Sequence, residues 1–305
     1  MSFEVKSLSV LSTDNIHTLQ GKIYIPSGKV KGLFHIIHGM TEHIGRYDKF
    51  MSFLAENGYI AFAFDNLGHG KTVNDASELG FISHKNGWNF LVDDVNAFET
   101  VVVKMFPSLP LYLFGHSMGS FIARIAAEKF KQNYEKIIFC GTGGKNILTP
   151  LGLLITKIIG FFKGEKYISK LVIAMAFGSY NKHFEGNSSR DWLTKDQDVI
   201  EAYKNDKLCN YYFTVSAMHD LIKLNSICNR NAWFKNLNQS TPKLLISGKS
   251  DPVGDYGKGV NWVYNKLVKN RQSAKIKLYD DCRHEIFNDS CKEEVMSDIL
   301  NFISN

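Results

Sequence analysis

The chain has 305 residues, 44% of them hydrophobic, and a formal net charge of +6. That is enough apolar chain for a large core. The basic excess is small and scattered, with no run of five Lys or Arg and no basic–aromatic signature, so a nucleic-acid partner is excluded.

The first elements alternate. FEVKSLSVL and HTLQGKIYIP read as two strands of a hairpin with STDN at the turn. GLFHIIH and YIAFAFD are apolar runs bounded by turn residues, the pattern of strands buried on both faces. Between them GRYDKFMSFLAENG is helix-like, with Gly58 as its stop. WNFLVDDVNAFETVVVKMF is a second helix, ended by Pro107. A strand at 111–115, a helix from FIARIAAEKF and a strand at KIIFCG follow. This rhythm predicts an α/β fold, a mostly parallel eight-stranded sheet with helices on both faces.

From about 145 to 235 the strand signal is missing and amphipathic helix patterns such as TKDQDVIEAYKND take over. The alternation resumes at PKLLISG, then YGKGVNWVYNKLVKN, AKIKLYD and KEEVMSDILNFISN. The expected plan is an α/β core of residues 1–144 and 236–305 with a helical cap inserted at 145–235. Residues 151–178 are strongly apolar, but Lys157, Lys163, Glu165, Lys166 and Lys170 break every stretch long enough to span a bilayer. The cap holds 13 Lys or Arg against 8 Asp or Glu. A basic, apolar-rich lid suits peripheral contact with an anionic lipid surface; a solvated helical cap is the alternative.

The start, MSFEVKSLSVL, lacks the basic and apolar regions of a secretory leader, and the five cysteines are odd in number with no CxxC spacing. Reduced thiols in a cytoplasmic protein are expected, with membrane contact through the cap as the peripheral option. No cofactor is expected: GTGGKN at 141–146 lacks the Walker spacing, and no dinucleotide fingerprint or metal cluster is visible.

The chemistry is carried by GHSMG at 115–119, which fits G-x-S-x-G between a strand and a helix. Such a turn exposes the serine hydroxyl above the sheet, and small residues two positions either side let strand and helix approach. Ser117 is the candidate nucleophile. It needs a base, and the base needs an orienting acid. Asp251 in SGKSDPVG and His284 in CRHEIFND each follow a late strand, in the expected order Ser, acid, His. Asp280 and Asp281 compete with Asp251 but share the loop of His284. Of the ten histidines, His116 adjoins the nucleophile and should point away from it, and His69 should brace a loop. The backbone N–H groups of Met40 and Met118 are the candidate oxyanion donors.

HGMTEHIGRY, DNLGHGKT, GHSMGS, SGKSDPVG and CRHEIFND together resemble the α/β-hydrolases of the monoglyceride lipase and lysophospholipase group. The resemblance runs from about residue 20 to 303. It implies a cofactor-independent carboxylic ester hydrolase acting on small lipid-like substrates, with Ser117, Asp251 and His284 as triad and Met40 and Met118 as oxyanion donors. Met40-Thr41 stands where the group's lipases carry small residues, and Cys282 stands where Gly or Ala often precedes Arg-His. The cap should supply an acyl tunnel, with Phe161, Phe162, Ile173, Met175 and Phe177 as candidate walls or else simply as cap core. A prolyl-type aminopeptidase, another acyl transferase and a non-catalytic ligand receptor remain open. The aminopeptidase would need acidic cap residues such as Glu185, Asp191, Asp196 or Glu201.

Overall fold

The apolar runs become the centre of one sheet. The computed structural model describes residues 2–130, 134–186 and 188–305. Its strands are β1 (Phe3–Leu11), β2 (Thr18–Pro26), β3 (Gly32–Ile37), β4 (Tyr59–Phe64), β5 (Leu111–His116), β6 (Tyr134–Cys140), β7 (Lys243–Gly248) and β8 (Ala274–Tyr279). They lie in the order β1-β2-β4-β3-β5-β6-β7-β8. β1 and β2 form an antiparallel hairpin, β2 pairs antiparallel with β4, and every later pairing is parallel.

Alternation along each strand sends side chains to two cores. On β3, Leu33 and Ile37 join one cluster while Phe34 and Ile36 join the other; Leu113 and Phe114 divide in the same way on β5. The first cluster is covered by α2 (Gly87–Met105), α3 (Met118–Phe130) and α9 (Lys258–Lys269). The second is covered by α1 (Asp48–Glu56) and α10 (Lys292–Ser304). Burial on both faces is why these strands read as unbroken apolar runs.

Among the described residues, five helices lie between β6 and β7: α4 (Thr149–Lys163), α5 (Lys170–Phe177), α6 (Gln197–Asn205), α7 (Val215–Cys228) and α8 (Asn231–Asn236). The insertion is seated, not free-standing. α7 packs on α2, α3 and α4, and Leu224, Ile227, Trp233 and Phe234 belong to the first core cluster. Buried Arg124 of α3 ties its two ends together. The guanidinium lies 4.3 Å from the Trp233 ring centre. It donates to the Thr142 hydroxyl and the Gly143 carbonyl at one end, and to the Cys228 carbonyl and Asn229 Oδ1 at the other.

The cysteines depart from expectation. Cys282 and Cys291 form a disulfide across the loop after β8, while Cys140, Cys209 and Cys228 are free and buried. The pair is joined by the fold-back of that loop, which spacing alone does not announce.

Candidate active site

Strand β5 ends at His116 and α3 begins at Met118, so Ser117 makes the turn alone. Its φ is +55°, the left-handed region that costs an L-residue roughly 1–2 kcal/mol. The turn is pinned from both sides. Ser117 N–H donates to the Cys140 carbonyl at 2.9 Å, and the Ser120 N–H and hydroxyl both donate to the Ser117 carbonyl. The two glycines are there for space. A Cβ on Gly115 would lie 2.3 Å from the Gly119 carbonyl oxygen, and one on Gly119 would lie 2.1 Å from that of Ile37.

Asp251 and His284 stand on the loops after β7 and β8, both buried. Nδ1 of His284 lies 3.0 Å from Oδ2 of Asp251, a close polar contact that is off the line of a well-directed hydrogen bond. Asp251 also accepts the Val253 N–H at 2.8 Å and the Ser247 hydroxyl at 3.0 Å. Burial opposes its charge, but the neighbouring imidazole and these donors outweigh burial and lower its pKa. The cap supports the histidine loop: His284 N–H donates to the Trp192 carbonyl and Glu285 N–H to that of Leu193.

Ser117, His284, Met40 and Met118 line one cavity of about 770 Å³. Among the described residues, the N–H groups of Met40 and Met118 have no acceptor. Core residues form the floor, and Leu148, Ile155, Val172, Met175, Phe177 and Met218 are among the walls from the insertion. Met175 and Phe177 thus stand where the sequence put them. Phe161 and Phe162 do not: they are 83% and 76% exposed and turn to solvent. Ile173 is half-buried and does not line the cavity. Helix α4 is apolar nearly all round, so its periodicity does not reveal which face meets the cavity.

The rival residues are engaged elsewhere. Asp280 and Asp281 pair with Lys249 and Lys195 at the surface. His35 meets Glu99 within the core, His219 meets Thr156, and His69 binds the Leu67 carbonyl. His43, Asp206 and Cys209 bring three potential metal donors within 4.8 Å of one another. Nδ1 of His43, however, accepts the Gly45 N–H, so Nε2 carries the proton and donates to Asp206 at 2.8 Å. That is a hydrogen-bonded latch between core and insertion.

His116 was set aside by sequence reasoning, yet its ring centre lies 4.8 Å from that of His284. Its Nδ1 faces Glu42 at 3.1 Å and its Nε2 faces the His284 carbonyl at 3.3 Å. Both partners are acceptors, which suits the doubly protonated ring. Burial works against that charge, but Glu42 outweighs it and raises the imidazole's pKa. Glu42, Arg46 and Glu285 were also missed. The available signal was charged residues inside HGMTEHIGRY and CRHEIFND, segments that flank the serine in space.

A family model described as serine aminopeptidase, S33, matches residues 28–291. The monoglyceride lipase of Rattus norvegicus is 24% identical over 281 residues, covering 92% of this chain and 83% of its own. Phospholipase YtpA of Bacillus subtilis is 26% identical over 267 residues, covering 85% of this chain and 90% of its own. A solved thermostable carboxyl esterase from Bacillus coagulans, in complex with glycerol, superposes with a TM-score of 0.93 at 29% identity over 99% of both chains.

Proposed function

The chain belongs to the serine aminopeptidase S33 family and is an ester-hydrolysing α/β-hydrolase, and from that premise we propose that it cleaves lipid-like monoesters, of monoacylglycerol or lysophospholipid type, through a serine acyl-enzyme. Ser117 Oγ attacks the ester carbonyl carbon while its proton passes to Nε2 of His284. Asp251 holds the imidazole by Nδ1 and stabilises its positive form. The carbonyl oxygen becomes an oxyanion held by the N–H groups of Met40 and Met118. The carbon–oxygen bond to the alcohol then breaks, and the alcohol leaves with the proton from His284. Water attacks the acyl-enzyme by the same relay, which releases the acid and restores Ser117.

One observation carries this reading. A serine at φ +55° and a histidine 3.0 Å from a buried carboxylate open on the same largely apolar cavity. The aminopeptidase alternative is disfavoured by its own requirement. Asp191 binds the Ser188 N–H, Asp196 caps α6, Glu201 pairs with Lys204, and none of these or Glu185 lines the cavity.

The test is hydrolysis of p-nitrophenyl esters from acetate to palmitate, beside Ser117→Ala. We expect a medium- or long-chain optimum and no turnover by the variant. A short-chain optimum would replace the lipid substrate by a small ester, and activity in Ser117→Ala would overturn the serine mechanism.

The same proposal gives the insertion a membrane-facing side. Leu151, Leu154, Ile158, Phe161 and Phe162 of α4 are all exposed, as are Lys157, Lys163 and Lys170. No helix among the described residues is long and apolar enough to cross a membrane. Exposed aromatics with interspersed lysines suit the surface of an anionic bilayer, from which a monoester would enter the cavity.

A further inference from the structure

We infer that Glu42 is a positioning residue for the oxyanion site. Its carboxylate holds the loop that presents Met40 in register with the turn of Ser117 and the loop of His284. The inference rests on the serine mechanism proposed above.

One side chain joins the three segments. On its own loop, Oε1 of Glu42 accepts the Gly39 N–H at 2.5 Å and the Tyr47 hydroxyl at 2.9 Å. Toward the serine turn it meets Nδ1 of His116 at 3.1 Å. Toward the histidine loop, Oε2 accepts from Arg46 at 3.2 Å. The same guanidinium forks onto Glu285, next to His284, at 2.7 and 2.6 Å. His116 closes the ring through the His284 carbonyl. Glu42, His116 and Glu285 are buried. Two carboxylates face a guanidinium and an imidazole whose two nitrogens both meet acceptors, so every buried charge in the cluster has a partner, the condition under which such a cluster persists.

The consequence falls on the oxyanion loop. Gly39 gives its N–H to Glu42 and so is withdrawn from the cavity, while the N–H of Met40, a residue that lines the cavity with Ser117, has no acceptor among the described residues. The two segments nearly touch: a Cβ on Gly39 would lie 2.7 Å from Oε1 of Glu42 and 3.1 Å from Cβ of Ser117. The next residue, Thr41, sits at φ +51°, a conformation β-branched residues seldom adopt. Such a backbone persists only where its surroundings over-determine it. The carboxylate of Glu42 is the part of those surroundings that also contacts His116 of the serine turn and, through Arg46, reaches Glu285 of the histidine loop.

The test is Glu42→Gln, which preserves shape and removes the charge. A positioning role lowers kcat by about 10²-fold, the scale of losing one oxyanion donor, and leaves KM within about twofold. Affinity for an alkylboronic acid, whose tetrahedral adduct with Ser117 fills the oxyanion site, falls in parallel with kcat. Rates are normalised to the folded enzyme counted by fluorophosphonate titration. If Glu42→Gln does not fold, Tyr47→Phe loosens the same carboxylate, with the same split at about tenfold, the scale of one hydrogen bond to a charged group. Unchanged kcat per folded enzyme, or a rise in KM as large as the loss in kcat, or a loss in kcat with boronic acid affinity unchanged, in whichever variant folds, overturns the inference. Ser117→Ala separates the two levels. An active Ser117→Ala sinks the mechanism itself, while a dead Ser117→Ala beside a fully active Glu42→Gln sinks the Glu42 inference alone.

Discussion

Tyr203 of α6 donates to the Thr41 carbonyl at 2.8 Å, and its hydroxyl also lies 2.7 Å from Thr41 Oγ1. A residue of the insertion thus grips the strained turn that follows Met40, and the Arg46 guanidinium lies 4.9 Å from the same tyrosine ring. Tyr203→Phe leaves the buried Thr41 carbonyl without this donor, at a cost of ~1–3 kcal/mol. We expect kcat to fall about tenfold with KM little changed. Steady-state kinetics beside a thermal melt checks this, and an unaltered kcat would show that the insertion does not shape the loop.

Asp251→Asn tests the acid. The amide keeps the shape but does not hold the histidine tautomer or balance its charge. The expected loss in kcat is about 10⁴-fold with the fold intact, read from kinetics and circular dichroism. A loss below tenfold would send the role of acid elsewhere.

Gly119→Ala tests the turn. Its Cβ would fall 2.1 Å from the Ile37 carbonyl and 2.5 Å from that of His38, both backbone atoms. Overpacking against backbone costs ~1–3 kcal/mol or more. A lower melting temperature is expected, together with slower fluorophosphonate labelling of Ser117.

Asp220 gives a pH signature. It sits on α7, buried against the N-terminus of α2, and accepts the Trp88 and Gly87 N–H groups. Burial outweighs those bonds and pushes its pKa from 3.8 up to about 7. Between these values the folded chain keeps a proton that the unfolded chain has released. Stability from this group is therefore full below about 4 and is lost as pH rises to about 7, by a few kcal/mol. Asp220→Asn should flatten the profile of melting temperature against pH across that window. A profile identical to the wild type would mean that Asp220 does not govern it.

Phe161 and Phe162 test the membrane face. Changing both to Ser removes exposed apolar area outside the cavity. Binding to vesicles containing anionic lipid should fall at least about tenfold, while turnover of a dissolved short-chain ester stays level. Raising the salt should weaken the wild-type protein's binding by screening its lysines. Undiminished vesicle binding by the double variant would place the contact on another face.

The parts legible in sequence are those whose signal is local. Leu111–Phe114 and Leu244–Ile246 announce buried strands because both neighbours in each run face apolar cores. Ser117 announces itself through two glycines that stand within four residues of each other, although the backbone that Gly119 makes room for belongs to Ile37 and His38. Asp251 and His284 stood out because each follows a late strand. The rest depends on contacts that sequence distance conceals. Glu42 meets His116 across 74 positions, and Arg46 meets Glu285 across 239. The place of Glu42, Arg46 and Glu285 inside HGMTEHIGRY and CRHEIFND marks them as near the site, but neither segment reveals which charge meets which. The faces of α4 escaped for another reason: a helix apolar nearly all round carries no phase from which to choose its inner side.

Arg124 fastens Gly143 and Cys228 to one guanidinium on the helix that starts beside Ser117. The insertion is therefore drawn shut at its neck, like a pouch. Whatever lies beyond that neck forms a loop whose ends are already paired, and the entropy of closing such a loop grows only as the logarithm of its length. Segments between the fixed ends that leave the core alone, such as the exposed side of α4, can lengthen, shorten or be exchanged at small cost to the sheet beneath. The neck holds the insertion in place while its outer side varies, and the parts that grip Thr41 and His284 stay fixed with the sheet.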